Sequence, residues 1–334
     1  MKKILSLILL AGMWLMSACE KLINEKDKAS VDPQANFDYL WRECDRKYAY
    51  FGLKNVNWND MKLKYGARIY KGMTDDSLFR VMGDMLNELK DDHVNLISAF
   101  NVSHYGVRFK GPANFDWRVI EDNYLPRNYL TSGPFQHDFI AGGSIGYVRF
   151  KSFSGEIDGG NLDYIIQRYQ NTKGLILDLR ANGGGASHDV FALLGRFVQA
   201  STLVYYSRIK TGPGHEDFST AAAVYLQPQG TYFGKKVMML VDRGTYSAGS
   251  FTSLVTKALD NIVLVGDTTG GGLGVPNGGQ LPNGWTYRFS VTQTLTLDKR
   301  NDYELGVPPD IRVLVNLSDK TQDAVIERAI KELQ

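Results

Sequence analysis

The segment GTYSAGS, at residues 244–250, joins an apolar strand-like run to a helix-like pattern and consists largely of small residues. Ser247 lies at the centre of this joint. A serine on a tight strand-to-helix turn acts as a nucleophile when a neighbouring base removes its proton. A serine in the same place can instead cap the helix that follows. Because the segment does not match G-x-S-x-G, the local pattern leaves both interpretations open.

A glycine-rich loop follows another buried strand-like run. The sequence LILDLRANGGGASHD, at residues 175–189, places three consecutive glycines at 183–185, before a predicted helix. Glycine lets backbone N–H groups approach a ligand, and N–H groups beside a helix N-terminus stabilise a developing negative charge. The loop lacks the spacing of a dinucleotide-binding or phosphate-binding motif. A plain glycine-rich turn is the alternative interpretation.

A serine nucleophile needs a base, and a histidine base is commonly oriented by a carboxylate. The histidines of the chain are His93, His104, His137, His188 and His215. His188 lies beside the glycine loop, and His93 follows LKDD at the end of a predicted helix. Near the C-terminus, NDYELGVPPDIRV contains Asp302, Glu304 and Asp310. The residue types alone do not choose among these candidates.

The elements that must position these residues change along the chain. Apolar residues at three- and four-residue spacings predict a helical subdomain over 32–98. Residues 99–144 are rich in aromatic and turn-forming residues, which predicts a connecting region of short strands and loops. Over 145–334, strand-like runs alternate with helical patterns, which predicts β-α units, a largely parallel sheet and an α/β fold.

The N-terminal residues have the pattern of a secretion signal. MKK is charged, ILSLILLAGMWLM is apolar but short for a membrane span, and MSAC leads into Cys19. This resembles a bacterial lipoprotein signal, which predicts a signal peptide over 1–18, lipidation of Cys19 and a flexible tether over 19–31. A secretory peptide with an unrelated cysteine is the alternative. Glu20 is not the aspartate associated with inner-membrane retention, which favours the outer membrane of a Gram-negative bacterium, on either face.

Composition excludes several classes of function. The chain of 334 residues is 43% hydrophobic and 22% charged, as in ordinary globular proteins. A formal net charge of +2 without a block of like charges argues against nucleic acid as the main partner. Cys44 is the only cysteine besides Cys19, so lipidation of Cys19 excludes an intrachain disulfide. A thiol nucleophile or a zinc site is not favoured either.

Taken together, the motifs resemble the S41 serine peptidases, the group of C-terminal processing and tricorn-core peptidases. The segments that carry the resemblance, in family order over most of residues 36–315, are LNELKDDHV, GYVRFKSF, LILDLRANGGG, GTYSAGSF, IVLVGDTTGGG and YELGVPPDI. The resemblance implies a ClpP/crotonase-like β-α spiral core after a helical subdomain. It also implies Ser247 as the nucleophile and an oxyanion hole formed by Ala248 with Gly183 or Gly184.

The resemblance also addresses the identity of the base. One branch of the family uses a lysine, but Gly271 or Gly272 stands where that lysine would be, so this chain cannot use a serine–lysine dyad. The tricorn-like branch uses a histidine that matches His93 and a glutamate that matches Glu304. Asp302 is the reserve candidate for orienting the histidine.

The resemblance therefore implies a serine endopeptidase that acts on peptide or protein substrates through a Ser-His-Glu triad, without a metal or an organic cofactor. About fifty residues separate His93 from the strand-like run SIGYVRF, too few for the PDZ domain that many processing peptidases carry. The competing hypothesis is a ligand- or peptide-binding lipoprotein that uses the same scaffold without catalysis. The sequence does not indicate the natural substrate or the oligomeric state.

Overall fold

The computed structural model describes residues 30–155 and 157–334. The predicted signal peptide, Cys19 and all of the predicted tether before residue 30 lie outside the described residues, so these assignments stay predictions. Within the described ranges, no helix is long and apolar enough to cross a membrane.

The helices of the described chain are concentrated in its first quarter and between the strands of its second half. They are α1 (Pro33–Lys47), α2 (Phe51–Lys54), α3 (Trp58–Gly66), α4 (Asp75–Asn87), α5 (Trp117–Asn123), α6 (Gly159–Tyr169), α7 (Ser187–Leu194), α8 (Ala248–Thr256) and α9 (Ala324–Leu333). Side-chain caps begin several of them: the Asp32 carboxylate accepts the N–H of Ala35, and the Thr74 hydroxyl accepts that of Ser77.

The strands form three sheets in the described chain. They are β1 (Asn95–Ile97), β2 (Leu130–Ser132), β3 (Phe135–Ile140), β4 (Ile145–Phe150), β5 (Leu175–Asp178), β6 (Thr202–Ile209), β7 (Ala222–Leu226), β8 (Val237–Val241), β9 (Ile262–Gly266), β10 (Pro276–Gln280), β11 (Thr286–Ser290), β12 (Thr292–Leu295) and β13 (Ile311–Arg312). The central sheet has the order β13-β9-β8-β5-β4-β3-β2, and the smaller sheets have the orders β1-β11-β10 and β12-β6-β7.

The central sheet is parallel from β13 to β4 and antiparallel at β3 and β2. Strands β5 and β8 are buried along their whole length, as expected for parallel strands covered on both faces. Side chains alternate between faces, so Leu177 and Met239 pack with α6, α7 and α8. Ile176 and Met238 pack on the opposite face with α9. The predicted α/β fold is confirmed.

Helices α1 to α4 share a separate apolar core with β1 and β11. The predicted apolar stripe of α4 is buried, including Leu78, Met82 and Leu86. Strand β1 pairs antiparallel with β11, with Leu96 opposite Tyr287. This pairing holds the end of the helical region against residues far along the chain. The boundaries drawn at residues 98 and 144 stay predictions.

A buried ionic cluster ties the last helix to the central sheet. The guanidinium of Arg180 donates to Asp178 at the end of β5 at 2.7 Å and to Asp323 at 2.8 Å. Asp323 also caps α9 by accepting the N–H groups of Val325 and Ile326. Removing one partner from such a cluster would leave a buried charge unpaired, which costs about 3–5 kcal/mol. The glycine loop begins directly after this anchored arginine.

Candidate active site

The turn between β8 and α8 holds Ser247 in a strained backbone conformation. Asp242 fixes the turn because its Oδ1 accepts the N–H groups of Ala181 and Thr245 at 2.8 and 3.0 Å. Ser247 has a φ of 53° and a ψ of −122°, and sparsely populated backbone conformations cost about 1–3 kcal/mol. The Ser247 hydroxyl makes no capping hydrogen bond to α8. Ser247 therefore does not cap the helix, and its hydroxyl is free for another partner.

That partner is His93. Its Nε2 lies 2.9 Å from the Ser247 Oγ, although 154 positions separate the two residues in the sequence. His93 is only 6% exposed and lies directly before β1, so the pairing of β1 with β11 carries it to the turn. The imidazole also packs edge-to-face against the ring of Tyr246, with 5.1 Å between ring centroids. A hydroxyl and a buried imidazole at this distance form a nucleophile–base pair.

Asp91 and Tyr246 support His93, and the motif analysis did not identify either of them. The buried carboxylate of Asp91 accepts the backbone N–H of His93 at 2.8 Å and the hydroxyl of Tyr246 at 3.2 Å. Its other oxygen accepts the hydroxyl of Tyr48 at 3.0 Å. Aspartate side chains commonly accept the backbone N–H two residues later in the sequence. The position of Asp91, two residues before His93, could therefore have indicated this contact. The contact with Tyr246 has no such signal.

Burial lowers the pKa of His93 below its usual value of 6.5. Arg288 acts in the same direction, whereas the negative charge of Asp91 opposes it. The imidazole is therefore neutral at neutral pH. A neutral ring is the form that accepts a proton from a hydroxyl.

Glu304 is buried on a short 3₁₀-helix over Asp302–Leu305. Its Oε2 accepts the N–H groups of Leu273 and Gly274 at 2.6 and 2.9 Å. The structure does not bring Glu304 into hydrogen-bond contact with His93. Among the described residues, Glu304 Oε1 and His93 Nδ1 are both buried without a hydrogen-bond partner. Burial raises the pKa of Glu304 to about 8, and the charge of Asp91 acts in the same direction.

The glycine loop lies directly against the turn of Ser247. A Cβ atom at Gly184 would lie 2.7 Å from the Ser247 Cβ and 2.8 Å from the Ala248 nitrogen, and Gly184 has a φ of 94°. However, the Gly184 N–H donates to Asn182 Oδ1 at 2.9 Å. That N–H is used within the loop in this structure, and the assignment of Gly183 or Gly184 as an oxyanion donor stays a prediction.

Other amides near the turn are free. The N–H groups of Gly183, Gly185 and Ala248 make no hydrogen bond to any other described residue. Gly185 and Ala248 line the cavity that contains Ser247 and His93. Gly183 is exposed and does not line that cavity. The sequence pointed to the first two glycines of the loop, whereas the third is the one that reaches the cavity.

Two stretches of the chain match known sequence families. Residues 144–313 match peptidase family S41, and residues 30–87 match the C1 domain of tricorn protease. The first match covers about half of the chain. This chain belongs to peptidase family S41.

Similar proteins agree with this membership. A solved structure of a candidate peptidase from Parabacteroides merdae is 37% identical, with a TM-score of 0.87 over 91% of this chain and 97% of that chain. Mature CPAF is 13% identical, and its TM-score of 0.68 over 90% of this chain and 96% of its own shows a shared fold. The carboxy-terminal processing protease CtpA of Bacillus subtilis is 26% identical over 171 residues, which cover 51% of this chain and only about a third (35%) of CtpA.

This S41 chain has no room for a side chain where the lysine of the other branch would stand. A Cβ atom at Gly271 would lie 2.0 Å from the carbonyl oxygen of Glu304, and one at Gly272 would lie 2.3 Å from the ring of Tyr246. Both glycines have a positive φ, 82° and 74°. The absence of a lysine in the sequence therefore corresponds to a steric exclusion in the fold.

The remaining candidates lie elsewhere in the S41 fold. His188 is exposed and its Nε2 is 3.2 Å from Asp189. His137 is buried in a pair with Tyr169 at 2.8 Å. Asp302, the reserve orienting residue, accepts a hydrogen bond from exposed Arg300 rather than contacting His93. The structure thus brings His93 alone, among the five histidines, to Ser247.

Proposed function

We propose that this chain is a serine-type peptidase in which Ser247 is the nucleophile and His93 is the general base. The observation that carries the proposal is the 2.9 Å contact between the Ser247 hydroxyl and a buried imidazole. The strained turn that presents the serine and the free amides beside it support the same role. Membership of a peptidase family gives the class of reaction.

In the proposed reaction, Ser247 Oγ attacks the carbonyl carbon of the scissile peptide bond while His93 Nε2 takes the hydroxyl proton. The carbonyl oxygen becomes an oxyanion, which accepts hydrogen bonds from the Ala248 N–H and from an N–H of the glycine loop. Each such donor contributes about 3 kcal/mol to the transition state. His93 then gives its proton to the leaving amine, and the C–N bond breaks. Water hydrolyses the resulting ester by the same steps.

We propose that Glu304 completes the site as the third member of the triad. Two features support this role: its carboxyl group is buried, and it binds the backbone at Gly274, which lines the cavity together with His93. Glu304 Oε1 and His93 Nδ1 are both buried atoms without a hydrogen-bond partner among the described residues. The charge of Asp91, which raises the pKa of His93, adds stabilisation of the imidazolium.

Labelling with a fluorophosphonate probe tests the nucleophile. We expect the wild-type protein to be labelled and Ser247→Ala not to be labelled. Ser187→Ala is the matched control, because Ser187 lines the same cavity without a hydrogen bond to a histidine of the described chain, and this variant should be labelled like the wild type. Labelling of Ser247→Ala would refute the assignment. Absence of labelling in every protein would favour the binding-module hypothesis instead.

We further propose endopeptidase action. Internally quenched peptides blocked at both termini test this directly, because they have no free end for an exopeptidase. Cleavage that is lost in Ser247→Ala supports the proposal. Cleavage only of peptides with a free terminus would contradict it.

We also propose that Cys19 carries a lipid that anchors the protein in the outer membrane. The support is the sequence pattern of the first nineteen residues. Metabolic incorporation of an alkyne fatty acid should label the wild type and not Cys19→Ser. Cys44→Ser provides the control because Cys44 is the only other cysteine. Unchanged labelling of Cys19→Ser would contradict the anchor.

A further inference from the structure

Two helices present aromatic side chains to the cavity beside Ser247. Phe251 follows Ser247 by four residues, and Phe191 follows Ser187 by four, so each phenylalanine lies one helical turn beyond a serine. All four residues line the cavity. The rings of Phe191 and Phe251 are 6.0 Å apart. Phe191 and Phe251 therefore form an aromatic surface of the cavity, one helical turn beyond the two serines.

Strand β6 supplies two further residues of the cavity lining. Tyr205 and Ser207 both line the cavity, because alternate residues of a strand face the same side. The ring of Tyr205 packs edge-to-face on Phe251, with 5.0 Å between centroids. Burial alone raises the pKa of Tyr205 to about 12. Leu273 and Val275 add apolar surface to the lining.

The lining contains no compensating charge. Among the described residues, no Lys, Arg, Asp or Glu side chain lines the cavity. A charged group that entered it would lose its hydration without gaining a partner, which is costly. An apolar side chain would exchange water for aromatic surface, which is favourable.

The size of the cavity is comparable to that of a single apolar side chain. Its volume is about 190 Å³. A cavity of about 150 Å³ lined by apolar side chains accommodates benzene. The space therefore accepts a side chain as large as leucine, methionine or phenylalanine.

We infer that this cavity is the specificity pocket of the peptidase and that it selects an uncharged, apolar side chain immediately before the scissile bond. The inference rests on the proposed function. In the acyl intermediate the carbonyl carbon is bound to Ser247 Oγ, and the next carbon carries this side chain. Ser247 and Ala248 both line the pocket, so the side chain on this carbon lies next to it.

A matched set of internally quenched peptides tests the inference. The peptides differ only in the residue before the scissile bond, which is Leu, Phe, Lys or Glu. For the wild-type protein we expect kcat/KM for Leu and Phe to exceed that for Lys and Glu at least about 100-fold, because the pocket cannot pair a charge. Equal rates for the four peptides, with Ser247 still labelled by fluorophosphonate, would overturn the inference while the proposed function stands.

A charge placed in the pocket should change the preference. In Ser207→Asp a carboxylate would face the cavity, so the ratio of Lys to Leu cleavage should rise at least about tenfold. Ser201→Asp is the matched control, because it adds the same charge at an exposed position directly before β6 that does not line the cavity. Its ratio should equal that of the wild type. A rise of equal size in both variants would refute the assignment of the pocket.

Peptide binding to an inactive variant tests the specificity of the pocket independently of catalysis. Peptides that end in Leu or Lys are titrated into Ser247→Ala, whose pocket is intact but which lacks the nucleophile. Tighter binding of the Leu peptide, about tenfold or more, supports the pocket even if the wild-type protein hydrolyses nothing. Equal affinity for the two peptides would contradict the pocket, whatever the activity.

Discussion

The ring of Tyr246 occupies the space into which a side chain at position 272 would project, with only 2.3 Å between Tyr246 Cζ and a Cβ atom built on Gly272. The same tyrosine packs on His93 and donates a hydrogen bond to Asp91. One residue next to the nucleophile thus excludes a lysine base and supports a histidine base.

We predict that Gly272→Ala destabilises the protein more than Gly142→Ala does. Both glycines have a positive φ, 74° and 65°, so each alanine adds strain of about 1–3 kcal/mol. A Cβ atom at 142 meets no atom within 4 Å, whereas one at 272 overlaps Tyr246. Overpacking should add about 1–3 kcal/mol at position 272. Urea unfolding measures both variants, and equal losses would contradict the steric account.

We predict that kcat/KM rises with pH through the pKa of His93, at a value below 6.5. Burial lowers this pKa because it disfavours the charged imidazolium. The base works in its neutral form, so activity is lost as the pH falls through the pKa and is retained above it. The measurement is kcat/KM as a function of pH, with a peptide whose ionisation does not change over this range. It gives the midpoint of the acidic limb, the part of the profile in which activity falls with falling pH. A midpoint above 7 would be inconsistent with a buried base.

We predict that Asp91→Asn moves this acidic limb to lower pH. The negative charge of Asp91 raises the pKa of His93, so its removal lowers the pKa further. Asp92 acts in the same direction but more weakly, and Asp92→Asn is therefore the matched comparison with a smaller shift. The profile of kcat/KM against pH is the readout, because loss of folding alone would reduce its height without moving the midpoint. A limb that stays in place would show that Asp91 does not act on the base.

We predict that Glu304→Gln removes a specific pH dependence of stability. The pKa of Glu304 rises from 4.5 to about 8 on folding, so the folded protein holds a proton that the unfolded chain releases. Its contribution to the free energy of unfolding is complete below pH 4.5 and is lost as the pH rises through about 8. Urea unfolding at pH 5 and pH 8.5 should therefore differ less in Glu304→Gln than in the wild type. Glu121→Gln, on an exposed glutamate, should keep the wild-type difference.

Several features of the fold and of the site could be predicted from local patterns in the sequence. The buried runs of β5 and β8 are almost entirely apolar, and only a parallel sheet covered on both faces buries such runs completely. The apolar stripe of α4 repeats with the period of a helix and is buried as that period requires. The absence of a lysine near position 272 could also be read directly from the sequence.

Other features could be seen only in three dimensions. The backbone conformation of Ser247, whose hydroxyl makes no capping hydrogen bond, depends on packing against Gly184 and Gly271 rather than on residue type. The use of the Gly184 N–H by Asn182 depends on the path of the loop. The separation of Glu304 from the imidazole depends on its bonds to the backbone of Leu273 and Gly274.

The sequence by itself determined the types of the reacting groups and the order of the elements that carry them, because these depend on composition and on local periodicity. The resemblance to the S41 peptidases pointed to His93, but only the tertiary structure showed that its Nε2 reaches Ser247 and which amides stay free beside it. The reason is physical: the 154 positions between His93 and Ser247 are bridged by the pairing of β1 with β11. Such long-range pairing is set by packing of the whole chain and leaves no local pattern.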